Sequence, residues 1–177
     1  MNIFILDLDM EECAKAMVDR HIVKMPTESL QLLSTSHRML DGNMYTTWNK
    51  RGAKMTKYYL NDGREDIIAK DCHHKHPCQI WLQKSPRNYD YLFRLTKVMC
   101  KEYTFRYGRV HGVEKRLDDI KSPPRNIGKD PFTLPPQAMD EEYRRNDLVE
   151  GYKNYYRKAK KHLAAWKNRP VPAWYNI

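Results

Sequence analysis

The chain has 177 residues, 41% of them hydrophobic and 31% charged, and it carries a formal net charge of +10 at pH 7. That length suits one domain whose core closes without staples, and no stretch approaches the roughly 20 apolar residues of a membrane-spanning helix. The excess of cations favours a polyanionic partner, nucleic acid ahead of an acidic membrane surface.

The opening Met1-Asn2-Ile3-Phe4-Ile5-Leu6 is apolar enough for one short buried strand or an extended segment, and it runs into Asp7 and Asp9. It is too short and too acidic for a secretory signal, so a cytoplasmic protein is expected, with Cys13, Cys72, Cys78 and Cys100 as thiols. Asp9 is placed to cap a helix that begins at Glu11-Glu12 and runs to about His21. A second helical pattern covers Pro26 to Leu40 and stops at Asp41-Gly42-Asn43; the spacing leaves open whether Pro26 kinks one helix or separates two. Residues 43–87 read as a loop-rich excursion around Asn61-Asp62-Gly63. Ser85-Pro86 opens a helix whose apolar side includes Tyr89, Leu92, Phe93, Met99 and Tyr103, and Gly108 stops it. A short charged helix is expected over Val113–Ile120. Ser122–Pro136 holds five of the ten prolines and must be extended. A last helix is expected from about Asp140 to Asn168, before an aromatic tail, Trp174-Tyr175. The fold expected is mainly α, one compact helical bundle over 1–177 with an extended N-terminal segment and a proline-rich strap.

Wound on a 3.6-residue period, residues 21–38 separate two faces. Ile22, Leu30, Leu33 and Leu40 share one, with Met25, Leu32 and Met39 at its margin. His21, Lys24, Glu28, Gln31, Thr35 and Arg38 share a narrow polar stripe on the other. One reading is a solvated face. The other is a site, because acid, amine, imidazole and amide together can hold an anion, move a proton and carry a nucleophile.

Asp19-Arg20-His21, with Glu28 seven residues beyond the histidine, resembles the phage pyrimidine-dimer DNA glycosylases of the endonuclease V type. Lys75-His76-Pro77-Cys78-Gln79, followed by a long helix, resembles a His-Pro element of related bacterial proteins, and Trp174-Tyr175 is similar in kind to their aromatic C-terminus. The resemblance implies an all-α fold that cuts the glycosidic bond of a damaged pyrimidine with an N-terminal α-amino group and a helix-borne glutamate. It makes Glu28 the catalytic carboxylate and His21 a site residue near the DNA backbone. Thr27 and Gln31 stand where the family places arginines, so the target is a photodimer or another altered pyrimidine. The amine belongs to Met1, or to Asn2 if the first residue is removed, with Lys24 as reserve. Lys24 also reads as an ordinary i,i+4 partner of Glu28. An α-amino group has a reference pKa of about 7.7–8.0 against about 10.4 for lysine, which is why it serves as a nucleophile near neutrality.

Other constellations compete. Cys72, His74, His76 and Cys78 are candidate metal ligands in one loop, although zinc sites usually set two separated pairs; a turn or phosphate contact at His76-Pro77 is the stronger reading. Arg144, Arg145, Lys153, Arg157, Lys158, Lys160, Lys161 and Lys167 read as a backbone-binding track, extended by Arg106, Arg109 and Lys115-Arg116, while Tyr152, Tyr155 and Tyr156 read as core. Gln31, Arg38, His76, Asn88, Arg157, Lys160 and Lys161 are the expected nucleic-acid contacts, Asn88 through a helix N-terminus. Asp7/Asp9 and Asp118/Asp119 read as caps or surface. No cofactor is expected. The expected partner is DNA, double-stranded with an extruded nucleotide or single-stranded, and the expected activity is a glycosylase with abasic-site lyase chemistry. The alternatives are a non-catalytic nucleic-acid binder and a pyrimidine-modifying transferase.

Overall fold

Ile3, Phe4, Ile5 and Leu6 are all buried, in extended backbone rather than a strand, in the computed structural model, which describes residues 1–176. Each such side chain contributes about 1.5–3 kcal/mol gross on leaving water, which fixes the start of the chain against the core. The buried Cys13 thiol donates to the Phe4 carbonyl (3.3 Å) and accepts from the Leu6 amide (3.4 Å). Helix α1, Met10–Ala16, is capped as expected by Asp9, whose carboxylate accepts from the Glu11 and Glu12 amides.

The break between the first two helices falls at Met17-Val18, and α2 runs unbroken from Asp19 to Asp41 with Pro26 inside it. The reason is a distant side chain. Arg106, fully buried, donates to the carbonyls of Ala14, Lys15 and Met17 and to the Asp19 carboxylate, so the open carbonyls at the end of α1 are satisfied there. Pro26 costs α2 one backbone hydrogen bond. Burial of Ile22, Met25, Leu30, Leu32 and Leu33 along the same helix opposes that loss.

Residues 43–87 carry more structure than expected. Strands β1, Asn43–Trp48, and β2, Lys54–Tyr59, form an antiparallel hairpin with register Asn43↔Tyr59 to Trp48↔Lys54. Helix α3 spans Pro77–Gln83, and α4, Pro86–Tyr107, starts on a Ser85 cap and ends at Gly108 with φ +66°, both where the sequence placed them. Helices α2, α3 and α4 pack on one another.

The C-terminal third departs furthest from expectation. Two 3₁₀ turns, Glu114–Arg116 and Asp118–Ile120, replace the short charged helix. Residues 122–136 contain no helix or strand and are pinned by Asp41, Gln83, Lys84 and Asn88. The expected helix from Asp140 to Asn168 is only α5, Leu148–Ala159, between 3₁₀ turns at Glu141–Tyr143 and Lys161–Leu163. Asp147 caps α5 from within the expected span, and the Gln137 carboxamide holds both the Arg145 amide and carbonyl, so residues 144–146 are kept out of the helix. Among the described residues no helix is long and apolar enough to cross a membrane.

Candidate active site at the amino end

The buried opening segment delivers the Met1 amine to the N-terminal half of α2, where it lies 3.9 Å from Glu28 Oε2. Lys24 Nζ, one turn earlier on α2, sits 2.8 Å from Glu28 Oε1. One carboxylate thus stands between two primary amines. Glu28 keeps 15% of its side chain exposed and Lys24 keeps 62%, so the group opens to solvent on the lysine side. Here the sequence-predicted Met1, Asn2, His21, Lys24 and Glu28 come together with Lys160 around one pocket of about 310 Å³, its lining chiefly polar.

Aromatic packing builds the back wall. Phe4 stacks on the His21 ring at 4.3 Å and meets Tyr152 and Tyr156 edge-on, joining the opening segment, α2 and α5. His21 Nδ1 is 2.5 Å from the Tyr156 hydroxyl, which has no other partner among the described residues. The hydroxyl is satisfied when it donates to Nδ1, and that leaves the ring proton on Nε2. Burial first, then the charges of Lys160, Lys24 and Arg20, push the imidazole down to about 3. His21 is therefore neutral at physiological pH and only 5% exposed. Expected as a site residue, it stands in the pocket lining as a buried, neutral wall.

His76 caps α3 by accepting from the Cys78 amide (3.2 Å). Its ring is held below the usual value by burial and then by the amino-terminal charge. Met25 and Tyr155 also line the pocket, as do Phe4, Ala138, Met139 and Asp140, which were not anticipated as site residues. Phe4 was legible only as core. Asp140 lay hidden in the expected start of a long helix.

Several expected contacts belong to the interior instead. Arg38 is fully buried, donating to Glu65 and to the carbonyls of Tyr58, Ala69 and Ile68. Thr35, also on the stripe, is buried and pairs with the backbone of Cys72. Asn88 is buried, donating to the Trp81 carbonyl and accepting from the Thr133 amide, so its side chain is committed to the interior. Arg106 is likewise buried and leaves the basic track. Arg157 donates to the Trp174 carbonyl and anchors the aromatic tail. Gln31 is half-buried and does not line the pocket; Lys161 is exposed beside Lys160. The candidate metal ligands scatter. His74 turns to Asp71, His76 turns to its cap, Cys78 is buried in the core, and no group of three or more His, Cys, Asp or Glu is placed to hold a metal among the described residues.

Compared with protein-family models, with curated proteins and with solved structures, the chain gives no match.

Proposed function

We propose that the chain is a DNA glycosylase with abasic-site lyase activity, acting on a damaged or modified pyrimidine through its amino-terminal amine and Glu28. The observation that carries the reading is the amine and the carboxylate 3.9 Å apart in one open pocket. A volume of about 310 Å³ falls in the range of small-ligand sites and suits an extruded nucleotide. The amine's lone pair forms the bond to sugar C1′, and the glycosidic electron pair leaves with the pyrimidine. Ring opening then gives an imine, with Glu28 carrying the amine's proton to the ring oxygen. The same carboxylate opposes the positive charge that builds on the sugar. Lys24 and Lys160 supply cations for the flanking phosphates, and half-buried Tyr155 adds an aromatic edge to the lining. On this reading the helices form a bundle closed by the strap over residues 122–136, and the protein works on DNA in the cytoplasm.

The test is borohydride trapping on abasic and pyrimidine-lesion duplexes, with the adduct mapped by mass spectrometry. The expected adduct lies on the amino-terminal peptide, at Met1 or, after its removal, at Asn2. Glu28→Gln is expected to slow trapping by about 10²–10⁴-fold. No adduct with any lesion, or an undiminished rate in Glu28→Gln, overturns the proposal. A product that keeps its base with an added group identifies a transferase instead.

A further inference from the structure

Residues 43–60 hold four cations, Lys50, Arg51, Lys54 and Lys57, and no acidic residue. They form the β1–β2 hairpin, and both of its faces meet water. Met44 is 67% exposed, Trp48 65%, Tyr45 44% and Tyr59 40%. An isolated two-stranded hairpin is marginal in water, and one that leaves large apolar groups uncovered on both faces is suited to a partner. Its shape is nevertheless well defined. At the tip, the Asn49 side chain accepts from the Arg51 and Ala53 amides, and Gly52 supplies the positive φ of +77° that the turn requires.

The root is fixed more firmly still. Arg38 donates to the Tyr58 carbonyl and to Glu65, whose carboxylate also accepts from the Leu60 amide. Lys57 donates to the Asp71 carbonyl. At Gly42 any side chain would begin 2.5 Å from the carbonyl oxygens of both Arg38 and Tyr59, so only glycine lets the hairpin leave α2 this closely. The hairpin is thus a projection of set direction, with cations and aromatics along it and a cationic tip.

We propose that this hairpin is a nucleic-acid-binding arm: Lys50, Arg51 and Lys54 neutralise phosphates of a duplex, and Trp48 reaches its bases. The partner class rests on the DNA reading of the pocket and is supported independently by the arm's charge. A duplex fits because a two-stranded ribbon enters a major groove about 12 Å wide. Its interleaved cations and aromatics match alternating phosphates and bases. A membrane-inserting tip would gather its apolar groups at the end, where this arm carries Lys50 and Arg51. From Glu28 to Gly42 is about 20 Å along α2, and the six-residue strands carry the tip about 20 Å beyond that root.

The experiment measures binding of the full chain to a labelled duplex as a function of salt. It compares wild type with Lys50→Ser/Arg51→Ser/Lys54→Ser. The variant is expected to bind about ten-fold more weakly or worse, and its log–log salt slope to fall by about 3. Duplexes truncated inside the arm's reach should erase the difference. Tryptophan emission should be quenched by duplex in wild type and much less in Trp48→Phe. Equal affinity and slope overturn the proposal, as does capture by phosphatidylserine vesicles, but not by duplex, that depends on the tip cations. The arm and the pocket fail separately. Tip-dependent duplex binding with no trapped adduct keeps the arm and removes the catalytic reading. Trapping with tip-independent affinity does the reverse.

Discussion

One helix carries one polar stripe, and its two halves meet opposite fates. In the N-terminal half of α2, Lys24 and Glu28 open onto a pocket with the Met1 amine beside them. In the C-terminal half, Thr35 and Arg38 lie under the segment after the hairpin, every polar group held by backbone or by Glu65. Spacing and residue type are alike in both halves. What separates them is cover: residues 60–72 fold back over one half, and the opening segment stops short of sealing the other. A polar stripe becomes a site where the chain leaves it partly open, and a strut where the chain closes over it.

The largest expected effect breaks this comparison if it falls on the wrong half. Arg38→Met strips the carbonyls of Tyr58, Ala69 and Ile68 of a buried donor, while Glu65 keeps Leu60 and Lys70, and should cost about 3–5 kcal/mol of stability. At this chain length that is a fall in Tm of roughly 6–20 °C by calorimetry or circular dichroism. Glu28→Gln removes a partly open ion pair and should change stability by less than about 1 kcal/mol. Equal losses at the two positions would mean that Glu28 is also a strut.

The next effect is shared by both halves. His21 is pushed down to about 3 and His37 to about 4, each by burial first and then by neighbouring cations. Both rings stay neutral in the fold but bind a proton near pH 6.5 once unfolded. The unfolded chain therefore holds more protons below that value. Stability should be level above about pH 6.5 and decline as pH falls from there toward 4, by an amount on the order of a few kcal/mol. Glu65 adds to the same side. Burial works against its charge, but Lys70, the Leu60 amide and Arg38 outweigh that and hold it near about 2, so its contribution is lost only below about pH 4.5. His21→Phe should flatten the decline between pH 6.5 and 4. It should also lower the plateau by about 1–3 kcal/mol, because the Tyr156 hydroxyl loses its partner. A Tm profile with no acid limb would mean that neither ring is buried neutral.

Legibility followed the range of the interaction. The Asp9 cap, the Ser85-Pro86 start and the Gly108 stop depend on neighbours within a turn, and all three stood in the sequence. So did the apolar side of α2 and the grouping of His21, Lys24 and Glu28, because helical spacing alone puts them together. The break at Met17-Val18 did not, since Arg106 makes it from nearly ninety residues away. The hairpin was hidden because both of its faces are wet, leaving no apolar–polar alternation to read. The burial of Arg38 and Asn88 was hidden for a related cause: a polar side chain covered by a loop has the same local pattern as one in solvent.

The smallest expected effect sharpens the comparison most, because it asks which amine beside Glu28 matters. Lys24 has the better contact by distance, 2.8 Å against 3.9 Å for the amino terminus. It is also well exposed, on a helix surface at i,i+4, where such pairs contribute about 0.3–0.5 kcal/mol. The amino terminus, by contrast, is held by four buried side chains and cannot turn away. Lys24→Met should therefore shift stability by less than about 1 kcal/mol. Trapping should continue, with its adduct still on the amino-terminal peptide and a modestly weaker affinity for DNA from the lost cation. Loss of the adduct in Lys24→Met, with the fold intact, would move the nucleophile from the buried end of the chain to the helix surface. The open half of the stripe would then supply amine and acid alike, and the opening segment would be left as wall.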